Sequence, residues 1–124
     1  MNPARFSATL TIAIAVLAGT AVPGLAHVKQ RFDGAWSVLI VTEKGPCDRA
    51  LRYPVYITDG IVGYNGQADF TVSGRVNTRG SIAVRIARGE QSASGAGRLA
   101  GSAGVGSWRA GECSGTWNAE RRSD

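Results

Sequence analysis

From Phe32 onward, apolar side chains recur at every second residue, and no stretch has the 3.6-residue spacing of a helix. Trp36, Val38 and Ile40 alternate with Ser37, Leu39 and Val41, so a first strand is apolar on much of both faces. A second strand carries Tyr53, Val55 and Ile57 on one face and Arg52, Pro54 and Tyr56 on the other. Pro54 has no amide to donate, which predicts an edge-like or bulged position. Further strands are expected at Ile61–Tyr64, at Asp69–Val76 with Phe70, Val72 and Val76 inward, and around Ile82, Val84 and Ile86. Three more follow at Ser92–Leu99, Val105–Arg109 and Cys113–Glu120.

Turn signals separate these strands. They are Gly45-Pro46, Asp59-Gly60, Asn65-Gly66, Asn77–Gly80, Gly89-Glu90, Gly101–Gly104 and Gly111-Glu112. Every connection suits an antiparallel hairpin, and none could hold a crossover helix. A meander of eight strands removes its two edges by closing on itself. The expected fold is therefore all-β: a small closed antiparallel up-and-down barrel of about eight strands over residues 32–122. A flattened two-sheet sandwich is the second architecture.

Gly-x-Trp occurs three times, at Trp36, Trp108 and Trp117. The inward parity places these indoles beside Gly74, Gly95, Gly97, Gly106 and Gly115. Small residues facing large ones fill a narrow barrel; the alternative is that the glycines leave room for a ligand. The expected core is Trp36, Val38, Tyr53, Val55, Phe70, Val72, Val84, Trp108 and Trp117.

Residues 1–26 read as an export signal. Arg5 charges a short leading segment, Phe6–Leu17 is uncharged and mostly apolar, and Pro23-Gly24 precedes the small-x-small site Gly24-Leu25-Ala26. A signal helix would thus precede a mature chain starting at His27, with residues 27–31 as a flexible leader. No stable membrane span is expected after cleavage, and the location is periplasmic or secreted from a bacterium. In such an oxidising compartment, the only two cysteines, Cys47 and Cys113, are expected to pair.

Gly34-Ala35-Trp36 on the first strand of a short exported chain resembles the opening of calycin-type barrels, the lipocalin and avidin class. It also resembles the small disulfide-bonded bacterial metalloprotease inhibitors of that class, in which a Cys soon follows the Trp, as Cys47 follows Trp36. More of the mature chain is similar to small exported alphaproteobacterial, rhizobial-type proteins sometimes labelled haem-utilisation or adhesion proteins. FDGAWSVLIVTEKGPCDRA, SGRV and CSGTWNAER carry that likeness. The resemblance implies a small exported barrel and brings no catalytic residues with it.

The residues speak against catalysis. His27 is the only histidine and precedes the strands, so no Ser/His/Asp set can be assembled around it. Glu43, Asp48 and Asp69 lie near loop ends, where acids are ordinarily solvated. A copper site at His27 would need a second histidine. Haem would need an axial ligand from His27, Tyr53, Tyr56 or Tyr64, and nothing singles one out. Neither metal nor cofactor is expected, and the chain reads as a non-catalytic monomer.

Thirteen of the 14 Lys and Arg residues follow position 26, against all nine Asp and Glu, a net charge of +4. That is too weak to indicate nucleic acid. Arg52, Arg75, Arg85, Arg98 and Arg109 each fall on the outward parity of their strands, the last four on consecutive strands. They predict a basic stripe that suits an anionic envelope surface, an acidic polysaccharide or another exported protein. The alternative is a solvated face whose charges guard against edge pairing. Two further readings are an inhibitor of an exported protease, presenting the His27–Arg31 leader, and a binder of a small hydrophobic ligand or haem. The signal reading is checked by the mass of the exported protein, which should correspond to a chain beginning at His27; retention of residues 1–26 would contradict it.

Overall fold

The computed structural model describes residues 30–64, 66 and 69–124. The segment read as an export signal, its expected cleavage site, His27 and the first residues of the expected leader lie outside them. Eight strands follow one another: β1 (Gly34–Lys44), β2 (Ala50–Thr58), β3 (Ile61–Gly63), β4 (Thr71–Val76), β5 (Ser81–Arg88), β6 (Gln91–Ala100), β7 (Ala103–Ala110) and β8 (Cys113–Ser123). Each pairs antiparallel with the next, and β8 returns to β1, so the sheet closes as the expected barrel. The closing seam is long, with Trp36 opposite Arg121, Val38 opposite Ala119 and Ile40 opposite Trp117.

The opposite wall is thinner. β3 pairs with β2 over Tyr56–Thr58 and with β4 only through Ile61 and Arg75. Pro54 stands inside β2, opposite Ser37 of β1, beyond the short stretch that pairs with β3. The barrel is closed, yet at Pro54 the second ladder is missing among the described residues, so its absent donor costs little there. The turn between β2 and β3 has both Asp59 and Gly60 at positive φ, 54° and 77°, which matches the right-handed twist of the two strands.

One end of the barrel is sealed. Phe32 and Trp36 are buried there with Ile57, Val62, Leu99, Trp117 and Ala119. The Trp36 indole N–H donates to the Phe32 carbonyl at 2.9 Å. Arg121 carries the inward parity of β8, and its guanidinium lies 5.1 Å from the Trp36 ring centroid. It donates to the carbonyls of Asp33 (2.8 Å), Gly101 (3.0 Å) and Arg31 (3.2 Å). A planar cation with several donors satisfies carbonyls from three places while covering the ring. Asp33 is 4% exposed, and its carboxylate accepts the backbone N–H groups of Asp59 (2.8 Å), Gly60 (3.1 Å) and Gln30 (3.1 Å). Gln30 and Arg31, expected to belong to a flexible leader, are thus tied to this floor; Arg31 also donates to the Thr78 carbonyl at 3.1 Å.

Above the floor, Trp117 fills the middle of the barrel. A Cβ on Gly97 would meet its Cζ2 at 2.6 Å, and a Cβ on Gly106 would run into the same indole and the Ala96 carbonyl. These glycines let the ring lie against the β6–β7 backbone. Toward the other end, Val38, Tyr53, Val55, Phe70, Val72, Val84 and Trp108 face inward but are only half-buried. Trp108 is fixed by a 3.0 Å bond from its indole N–H to the Val41 carbonyl. The Cys47–Cys113 disulfide forms at this end and ties the β1–β2 loop to the start of β8.

Three stability outcomes follow from this packing. Gly106→Ala should cost about 2 kcal/mol or more by overpacking. Gly95→Ala, whose added Cβ has its nearest neighbours at 3.5 and 3.7 Å, should be neutral or stabilise by about 0.5 kcal/mol. Replacing both cysteines by serine should cost roughly 4 kcal/mol, since the bridge closes a 66-residue separation. Urea unfolding of the purified variants checks all three; equal midpoints for the two glycine variants would refute the packing described.

Candidate anion-binding face

Outward-facing residues of a barrel fall into rows that run from strand to strand along the hydrogen-bond ladders. The register assigns each arginine to its row. Arg85 lies opposite Ser73 on β4 and Ser94 on β6. Ser94 lies opposite Arg109 on β7, and Arg109 opposite Ser114 on β8. Ser114 in turn lies opposite Lys44 on β1. One row therefore reads Ser73, Arg85, Ser94, Arg109, Ser114, Lys44 across six strands, hydroxyl and cation alternating.

The other arginines sit at different heights, so the expected single stripe is not what the register produces. Arg75 lies opposite Ala83, one row toward the floor from Arg85. Arg98 is opposite Ser81 and Val105, two rows from Arg85. Arg52 is on β2, opposite Leu39, and donates to the Ser37 hydroxyl at 2.9 Å. The structure brings Arg85 and Arg109 together, places Arg75 beside them, and separates Arg98 and Arg52.

Lys44 is the member that sequence parity misses. Counting in twos from Trp36 would turn it inward. The irregularity between Thr42 and Lys44 sets it opposite Ser114 instead, on the outer row. The serines were also not singled out, because only register aligns them with the arginines.

Between the cations the wall carries small residues. Ala83, Ala96 and Ser107 occupy the adjacent row, and with the cation row and the backbone between them they line a shallow, open groove. Among the described residues, Arg85, Arg109 and Lys44 have neither a carboxylate partner nor a side-chain hydrogen bond. By contrast, Arg88 is paired with Asp69 at 3.1 Å and Arg122 with Glu120 at 3.9 Å. Among the described residues, Glu43 is the one acid that lines the groove. Guanidiniums on a firm sheet, free of internal partners, can accept carboxylate or phosphate in a bidentate manner.

The other candidate groups do not assemble. Among the described residues no three His, Cys, Asp or Glu side chains come together as a metal site. Tyr56 is exposed on the outer face of β2. Tyr53 and Tyr64 instead join Phe70 in an aromatic cluster, with ring centroids 4.8 to 6.4 Å apart, where β2 and β4 lack a full ladder. Compared with known proteins, the chain matches no family model, and no curated protein and no solved structure matches it.

Because Arg85 and Arg109 hold no hydrogen-bond or ion-pair partner among the described residues, their removal should leave folding intact. The double variant R85S/R109S should unfold within about 0.5 kcal/mol of the parent. A larger loss in thermal or urea unfolding would show that the row is structural.

Proposed function

We propose that this protein is an exported, non-catalytic barrel that binds anionic material of the cell envelope through the outer face of β4–β8 and the end of β1. The observation that carries this reading is the set of cations without a partner among the described residues, Arg85, Arg109 and Lys44, standing in one row beside small residues of the outer wall. Unpaired like charges side by side favour an anion that neutralises several at once. The disulfide is consistent with an oxidising, extracytoplasmic location.

The likeness to calycin-type barrels is supported by the closed eight-stranded meander with Gly34-Ala35-Trp36 opening its first strand. A second reading within that likeness is a small apolar ligand at the open end, favoured by the half-buried Tyr53–Tyr64–Phe70 cluster. The inhibitor reading needs a free leader, and Gln30 and Arg31 are held at the floor.

Binding to an immobilised polyanion should be measurable at low salt and weaken steeply above about 0.1 M salt, where charges more than about 10 Å apart are screened. Affinity that is absent at low salt, or unchanged at high salt, would leave the row as a solvated face.

A further inference from the structure

We infer that the ligand of this face is a linear acidic polysaccharide of the polyuronate kind, lying around the barrel along the row from Ser73 to Lys44. The inference rests on the anion-binding reading and goes further by naming the ligand class and its path. Its first support is the spacing. Arg85, Arg109 and Lys44 are each separated by one intervening strand, so their backbones stand about 9.5 Å apart. Repeated cations at that interval suit a polymer with repeated anions better than one compact phosphate.

The second support is what lies between the cations. Ser94 and Ser114 bring a hydroxyl to the two gaps, Ser73 brings one beyond Arg85, and Ser107 adds one from the next row. A hydroxyl can both donate and accept, which matches the hydroxyls of a sugar ring. Carboxylates would pair with the guanidiniums while ring hydroxyls meet the serines. The small side chains of Ala83 and Ala96 leave the groove open for the rings.

Shape separates this ligand from a membrane. The row passes over six of eight strands and bends with the barrel. A flat bilayer presents many head groups at one plane and could reach only part of such a curved row, whereas an oligosaccharide one ring wide can lie along successive parts of it. Chemistry separates it from single-stranded nucleic acid, which needs aromatic platforms for its bases. Among the described residues, no aromatic side chain faces outward on β4–β8. The same absence disfavours a neutral glycan, which would have neither stacking nor charge to hold it.

The test titrates the full mature protein by calorimetry at low salt with galacturonate monomer, trimer and octamer. Neutral dextran oligomers and vesicles containing phosphatidylglycerol serve as comparison probes. Affinity should rise from monomer to octamer, and dextran should not bind. R85S/R109S should lose octamer affinity by about tenfold or more, as expected for removing two charge-assisted contacts. R79S/R122S removes the same charge elsewhere and should stay within about twofold, in line with a surface charge far from the ligand. Equal affinity for trimer and octamer, equal losses in both double variants, or tight binding to vesicles alone would overturn the polysaccharide assignment while the anion-binding reading stood. Failure of every anionic probe to bind would overturn both.

Discussion

The indole of Trp117 lies against the backbone of β6 and β7, and that contact holds in place two of the strands on whose outer face the candidate site is built. Inside, the ring occupies the space that side chains at positions 97 and 106 would need, which makes glycine obligatory there. Outside, the same strands carry Ser94, Ala96 and Ser107. The wall is thin on both faces, so the arginines on either side rise above it. The depression outside follows from these small outward residues, while the ring inside holds the two strands that carry them.

That arrangement depends on closure, because Trp117 comes from β8 and is held in register by β1. Ile40 lies opposite it across the closing seam. At the floor, Arg121 extends the same strand, covers Trp36 and gathers carbonyls from the N-terminal segment and the β6–β7 turn. At the other end, the disulfide attaches the β1–β2 loop to the first residue of β8. β8 is thus fixed at its start, middle and end, while the short ladders around β3 form the weaker side. The cation row lies on the well-supported part of the barrel, and a charged site on a firm support loses less entropy on binding.

Much of the fold was legible because a barrel writes itself into sequence twice, as alternation and as turns. Trp36, Trp108 and Trp117 share one parity with their neighbouring glycines, and short Gly-containing turns exclude anything but hairpins. The row was not legible, since parity tells which face a residue takes but not its height. Height follows from how many residues each turn consumes and from bulges. The two-residue turn at Gly89-Glu90 sets Arg85 opposite Ser94, and the irregularity after Thr42 turns Lys44 outward. Arg121 was missed for a different reason. A charged residue near the end of a chain suggests a solvated tail, although the alternation from Cys113 through Ala119 already pointed its side chain inward.

A sheet with glycine and indole inside and serine, alanine and arginine outside separates two tasks. The interior provides rigidity, and the exterior presents fixed charges at intervals set by strand spacing. Recognition on such a surface differs from recognition in a cup, where ligand and core compete for the same side chains. A backbone NMR titration of the protein with galacturonate octamer distinguishes the two directly. The expected result is chemical-shift change at Arg85, Ser94, Ser107, Arg109, Ser114 and Lys44, with the inward-facing residues of the open end unmoved. Shifts centred instead on Tyr53, Phe70 and Val72 would place the ligand in the mouth of the barrel and contradict recognition by the outer row.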